Sequence, residues 1–381
     1  MGGKKSALEN LVKMSLPYFN GAYAGKKIFV TGHTGFKGSW LCEWLLLLGA
    51  EVTGYSLPPN TNPALFNQLG LKTRLNHRVG DIRDLSKLRR ALHKSKPDFV
   101  FHLAAQSLVR ESYWQPVETF ETNLLGTVNV LETLRTLKKP CAAVFITTDK
   151  CYENRECHRG YAETDPLGGH DPYSASKATA EIAISAYRRS FFKGQSVKIA
   201  SVRAGNVIGG GDWAADRIVP DAIRALQKKQ PIPVRNQIST RPWQHVLEPL
   251  SGYLWLGAQL AKLKAHDDQF CSSFNFGPDR EANRTVRKLV EEILEHWPGE
   301  WADKSNPRAV HEARLLHLIT TKAKRKLGWR PVWNFSETIR KTVGWYHVAV
   351  QAPDRVHEMS AQDLADYCAA AKKKNLPWAG K

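Results

Sequence analysis

From Gly25 to about residue 205, short apolar runs rich in β-branched residues alternate with stretches of helical periodicity. No other feature of the 381-residue chain constrains its fold as strongly. Lys27–Thr31, Glu51–Tyr55, His77–Gly80, Phe99–Leu103, Ala143–Thr147 and Val197–Arg203 read as strands. Gly38–Leu48, the basic stretch containing Leu85, Leu88 and Leu92, Asn123–Leu137 and Ser174–Arg189 read as helices. Strands that are apolar along their whole length need cover on both faces, and strands separated by helices pair in parallel. The expected class is α/β with a doubly wound parallel sheet, closed by Val197–Arg203. Beyond residue 205, Gly-, Pro- and Trp-rich loops between helices predict a smaller α/β substrate-binding lobe. The expected divisions are a poorly ordered extension over 1–24 and a dinucleotide-binding domain over 25–205, to which residues around 238–265 return. The substrate lobe follows over 206–350 and a C-terminal tail over 351–381.

The first strand runs into Thr31-Gly32-His33-Thr34-Gly35-Phe36-Lys37-Gly38 and then an apolar helix. Glycines placed there allow a tight turn, close backbone approach to a pyrophosphate and helix-on-strand packing, which is the Rossmann-type arrangement. An acidic residue usually follows the second strand and grips the adenosine ribose. Ser56 stands there instead, and no basic residue awaits a 2′-phosphate, so charge leaves NAD and NADP both open. His33 and Lys37 are expected to bring positive charge to the phosphates.

Tyr173-Ser174-Ala175-Ser176-Lys177 places a phenol and an ammonium four residues apart, on one face of a helix. A phenol with a reference pKa of about 10 needs neighbouring positive charge to act as a base at neutral pH. Thr148, at the end of an upstream strand, is placed to hydrogen-bond the same reacting hydroxyl. Asp149 and Lys150 extend into the same cleft.

Lys and Arg number 55 against 36 Asp and Glu, leaving a net charge of +19. The surplus is scattered, as in Arg83, Lys87, Arg89, Arg90, Lys94 and Lys96, on what reads as the wet face of an amphipathic helix. No basic-and-aromatic pattern for stacking bases accompanies it, so an anionic small substrate is the expected use and nucleic acid is not. Six cysteines follow no disulfide or zinc spacing, Cys151, Cys157 and His158 included, which points to a reducing compartment and no metal. No run is apolar and long enough for a signal peptide or a membrane span, and a cytoplasmic location is expected. Met1-Gly2-Gly3-Lys4-Lys5-Ser6 fits the myristoylation template, a short pattern read here as a basic start without an anchor.

With these motifs the chain resembles the extended short-chain dehydrogenase/reductase superfamily and, within it, the CDP-glucose 4,6-dehydratase family. The likeness rests on Val30–Trp40, Thr148–Asn154, Gly169–Tyr173, Arg203–Trp213 and Arg241–Pro249, and runs from about Gly25 to about Tyr346. It implies oxidation of a nucleotide sugar at C4 by NAD, loss of water across C5 and C6, and hydride return to C6, as in deoxysugar biosynthesis. In that reading Tyr173 is the base, Lys177 lowers its pKa and Thr148 steadies the C4 oxygen. Asp149 is the acid for the C6 hydroxyl. Lys150 stands where dTDP-glucose dehydratases carry Glu, which leaves the C5 base open. The resemblance also implies cofactor contacts from Gly32, His33, Gly35, Phe36, Lys37, Gly38, Ser56, Asp81, Ile82, Leu103, Ala104, Ala105, Gln106 and Asn123, besides Tyr173 and Lys177. Substrate contacts are implied at Asn206, Arg217, Ile218, Arg235, Arg241, Asn275 and Glu312. Ile319 departs from the family's usual Asp. A homodimer or dimer of dimers, paired through two helices of the core, is implied as well. The alternatives are a 4-epimerase or a dehydratase for another nucleotide and, further off, a non-catalytic dinucleotide sensor.

Overall fold

A computed structural model describes residues 18–156, 159–305 and 315–380. Its centre is a sheet of seven parallel strands: β1 (Lys27–Thr31), β2 (Glu51–Ser56), β3 (Asn76–Val79), β4 (Phe99–His102), β5 (Cys141–Ile146), β6 (Val197–Ala204) and β7 (Ser273–Phe276). The order is β7-β6-β5-β4-β1-β2-β3, which reverses direction of growth at β1 and opens a crevice beyond its carboxyl end. Both faces are covered, as the apolar strands require. In β1, Ile28 and Val30 join one core while Phe29 joins the other. In β5, Ala142, Val144 and Ile146 face the first core and Cys141, Ala143 and Phe145 the second.

The first core is closed by helices α1 (Phe36–Leu47) and α6 (Leu247–Ala261), through residues such as Trp40, Leu41, Leu250 and Leu254. The second lies under α2 (Leu85–Ser95), α3 (Gly126–Arg135) and α4 (Pro172–Tyr187), through Leu88, Leu92, Val130, Leu134 and Ile184. The start of α4 is set locally. Pro172 opens it, and the Asp171 carboxylate accepts from the Ser174 N–H at 2.9 Å. That cap places Tyr173 in the first helical turn, at the level of the strand ends.

Beyond β6 come α5 (Ile218–Gln227), α7 (Val286–His296) and three two-stranded sheets, among them Val207–Ile208 beside Gln244–His245. Three expectations change. Val197–Arg203 does not close the sheet: β7 pairs outside it, with Phe274 opposite Val202. The segment Tyr18–Ala24, assigned to a poorly ordered extension, instead buries Phe19 and Tyr23, and the Tyr23 hydroxyl donates to the Leu254 carbonyl. The stretch after residue 351, expected as a C-terminal tail, is packed into the fold. Helices α8 (Phe335–Gln351) and α9 (Val356–Lys373) pack together, and Trp378 stacks on Phe19 with ring centroids 5.1 Å apart. Both corrections have one cause: large aromatic side chains find their partners only across the fold. The myristoylation template and His158 lie outside the described residues.

Candidate active site

The glycine turn after β1 forms a cradle at the crevice. Gly32 adopts φ +74°, and a Cβ there would stand 2.6 Å from the Ala104 nitrogen. A Cβ on Gly38 would meet the Gly32 carbonyl oxygen at 2.1 Å. Neither position accepts a side chain, so the backbone itself lines the turn. Helix α1 begins at Gly35 with no side-chain cap, leaving its first N–H groups to a ligand. Thr34 ties the turn to the end of β2 by hydrogen bonds to the Ser56 hydroxyl and the Leu57 carbonyl, each 2.9 Å. These features fit the pyrophosphate of a dinucleotide.

Around the cradle, the structure sorts the expected cofactor residues. Leu103–Gln106 follow β4 directly, opposite the turn. Asn123 is buried and staples them in place: its carbonyl accepts from the Gln106 N–H at 2.9 Å, and its amide donates to the Gln106 carbonyl and to the Ser176 hydroxyl on α4. Ile82 packs against Gly126, and Asp81 is engaged by Arg83 through its backbone and its guanidinium. His33 departs from expectation. It is fully buried under Gly54, shares a 2.7 Å hydrogen bond with His77, and has its pKa pulled down to about 3 by burial and by His77. A neutral imidazole brings no charge to phosphates. Lys37 remains the cation of the turn, although burial first and then Arg217 lower it to about 8.

At the end of β5, Thr148 and Asp149 face Tyr173 of α4, and Lys150 follows beside Asp149. Thr148 hydrogen-bonds the Tyr173 phenol and also donates to the Asp149 carboxyl at 3.1 Å. Asp149 is buried, and its other carboxyl oxygen has no hydrogen-bond partner among the described residues. Burial pushes its pKa up, opposed by Lys150, Thr148, Arg241 and Lys37. The phenol also departs from expectation. Burial lifts Tyr173 to about 12, with Thr148 and Arg217 opposing the rise. Burial and then the nearby Lys37 ammonium bring Lys177 down to about 8, against the pull of Glu181.

Arg217 and Arg241 reach this centre, as their influence on Tyr173 and Asp149 shows. Arg217 is held by Asp212 at 2.8 Å and starts the helix whose first residue is Ile218. Asn206 lies just beyond β6, its carbonyl accepting from the Gln244 N–H. Arg235 pairs at 2.6 Å, and Arg110 at 3.5 Å, with a different acid, Asp216. Asn275 is not brought to the cleft. It is wholly buried, accepts from the Tyr152 hydroxyl at 2.7 Å and donates to the carbonyls of Tyr161 and Ile319. Ile319 therefore acts through its backbone, and Glu312 lies outside the described residues. Two groups that the sequence reading missed support the site. His102 bridges Thr31 and Thr127, and Glu181 lies one turn beyond Lys177 on the same helical face. The spacing 173, 177, 181 carried that second signal. Among the described residues, no group of three or more His, Cys, Asp or Glu could hold a metal ion.

A Rossmann sheet with a Tyr-x-x-x-Lys helix at its carboxyl edge defines the short-chain dehydrogenase/reductase class. The chain belongs to the GDP-mannose 4,6 dehydratase family, whose sequence pattern matches residues 29–342. It is 46% identical over 360 residues to the CDP-glucose 4,6-dehydratase of Salmonella typhimurium, covering 92% of this chain and 98% of that one. A probable dTDP-glucose 4,6-dehydratase of Sinorhizobium fredii is 30% identical, over 84% and 92% of the two chains. Among solved structures, a dTDP-glucose 4,6-dehydratase of Streptomyces venezuelae with NAD and TYD bound superimposes with a TM-score of 0.72. That protein is 26% identical, and the match covers 86% of this chain and 99% of that one.

Proposed function

We propose that the chain is an NAD-dependent hydro-lyase that converts CDP-glucose into CDP-4-keto-6-deoxyglucose in deoxysugar biosynthesis. The choice of cytidine rests on the 46% identity to the Salmonella enzyme, and NAD on the dinucleotide present in the Streptomyces relative. The observation that carries dehydration, rather than epimerisation, is the buried Asp149 carboxyl beside Thr148 and Tyr173, raised toward its protonated form. An epimerase needs the Tyr, Lys and Thr set alone.

The turn Gly32–Gly38 and the start of α1 hold the dinucleotide, with Lys37 at the phosphates. Bound there, NAD supplies the acceptor for the C4 hydride and the donor that returns it to C6. Tyr173 removes the proton of the C4 hydroxyl, with Thr148 and Arg217 favouring its anionic form. Thr148 also fixes the C4 oxygen. The ketone acidifies the C5 proton, and Lys150 is our candidate for removing it. Asp149 protonates the C6 hydroxyl, which leaves as water. The balance is internal: the C4 hydrogen ends at C6 as hydride, a proton returns to C5 as it arrives, the proton taken up at Tyr173 offsets the one Asp149 gives, and one water is lost. Arg217 and Arg241 suit the diphosphate, since a guanidinium fork binds two oxygens together.

A homodimer or dimer of dimers is part of the proposal. It is supported by exposed apolar side chains on α4 and its neighbours: Trp114 is 83% and Val117 70% exposed on short helices packed against α4, and Ile182 on α4 is exposed as well. A cytoplasmic location is supported by the free cysteines Cys42, Cys141, Cys151, Cys271 and Cys368. Among the described residues, no helix is long and apolar enough to cross a membrane. The test is incubation with CDP-, dTDP-, UDP- and GDP-glucose and either NAD or NADP, scoring 4-keto-6-deoxy product by its alkaline absorbance. Product from CDP-glucose with NAD is expected. A C4 epimer in its place would overturn the reading.

A further inference from the structure

We propose that the buried Glu181–Arg203 ion pair is the positioning element of the active site, holding the segment Thr148–Lys150 at its working distance from Tyr173 and Lys177. Glu181 lies on α4, one turn past Lys177, and is buried together with Arg203 at the end of β6. One of its carboxylate oxygens accepts from the Thr147 hydroxyl at 2.6 Å. The other accepts from the Ser201 hydroxyl and from the Arg203 guanidinium, each at 2.8 Å. Arg203 then reaches forward, donating to the Tyr152 hydroxyl at 2.7 Å with its guanidinium carbon 4.8 Å from that ring's centroid. Tyr152 passes the contact on to Asn275.

Thr147 and Tyr152 flank the stretch that carries Thr148, Asp149 and Lys150. The pair therefore grips that stretch at both ends, directly at Thr147 and through Arg203 at Tyr152, and ties it to the helix bearing the phenol. A buried pair with this many donors is rigid, and removing one partner strands a charge. Proton transfers at Tyr173 and Asp149 depend on such placement, since a shift of about 1 Å can cost roughly 10²-fold in rate. Glu181 has a second effect that a mere brace would lack. Lys177 is faced by Lys37 from α1, His102 from β4, Cys151 from the turn after β5, Tyr173 from its own helix and Glu181 itself. Within that set Glu181 is the carboxylate, and it favours the charged ammonium.

The inference rests on the proposed dehydration of CDP-glucose, so the parent's turnover is measured first. A parent inactive on every glucose nucleotide refutes that reading and leaves this one without a reaction to position. With an active parent, Glu181→Gln is expected to lower kcat by roughly 10²-fold while KM for CDP-glucose changes little. The alkaline limb of its kcat–pH profile should move to lower pH. Because a single substitution strands Arg203, the paired variant Glu181→Gln/Arg203→Met removes both charges. It should regain thermal stability but not kcat. Tyr152→Phe, which frees only the far end, should lower kcat less and leave the alkaline limb in place. Parental kcat and an unmoved limb in Glu181→Gln, or recovery of kcat together with stability in the paired variant, would overturn the proposal.

Discussion

Replacing Asp149 with Asn separates the two halves of the proposed reaction. The substitution keeps the acceptor that Thr148 meets at 3.1 Å, and the oxygen it converts to an amide has no hydrogen-bond partner among the described residues. Exchanging a desolvated carboxyl for a neutral amide of equal size should thus leave the fold intact, with Tm moving by no more than ~2–4 °C. Chemistry should suffer far more. Loss of a positioned general acid costs roughly 10²- to 10⁴-fold, or about 3–5 kcal/mol of barrier. Oxidation at C4 uses Tyr173 and Thr148, both retained. Stopped-flow mixing of the NAD-loaded variant with CDP-glucose should therefore show reduced-nicotinamide absorbance rising and persisting, while 4-keto-6-deoxy product fails to form. Product formation at the parental rate would refute the acid role. Equal loss of C4 oxidation and elimination would refute the division of labour.

Lys177, lowered to about 8, is protonated below that pH, so kcat should hold between pH 7 and about 8 and fall above it; a flat profile to pH 10 contradicts the assignment. Gly38→Ala sets a methyl 2.1 Å from the Gly32 oxygen and should weaken NAD binding by more than tenfold, on the order of 2 kcal/mol or above, as read by fluorescence titration. If Lys150 removes the C5 proton, Lys150→Ala should abolish exchange of C5 deuterium in single-turnover reactions and leave C4 oxidation in place. Exchange at the parental rate would assign the base elsewhere.

Much of the fold was legible because β1, β4 and β5 are apolar on both alternating faces, a pattern that only a doubly covered sheet satisfies. β7 was not, since Ser273-Phe-Asn-Phe is short and half polar, and its pairing with β6 is made across the fold. The aromatic clasp of Phe19, Trp44, Tyr367 and Trp378 was hidden for a related reason: its members lie at opposite ends of the chain. Tyr173 and Lys177 were visible through helical spacing and Thr148 through its place at a strand end. His33 was misread because charge was assigned from residue type, whereas burial under Gly54 makes it neutral. Asn275 was misplaced for a similar reason, as a side chain's exposure is not written in its identity.

The same burial that shapes the site predicts a conflict between stability and function at Lys177. Burial brings its pKa from 10.5 down to about 8, which sets roughly 3 kcal/mol against the charged form. Unfolded and folded chains are both protonated at pH 7, so that cost of burying the ammonium is fully present there. It is relieved as pH rises from about 8 toward 10.5, where the folded chain sheds its proton first. Lys177→Met keeps the length of the side chain and removes the charge. At pH 7 the variant should unfold at higher urea than the parent, by on the order of 1–3 kcal/mol, while losing turnover. The advantage should shrink by pH 9, because the parent has by then been relieved of part of its cost. The comparison is between two proteins at each pH, so cysteines and tyrosines that titrate in both cancel. A variant no more stable than the parent at pH 7 would mean that the ammonium is satisfied inside the fold, and that a buried cation does not set the cost of this site.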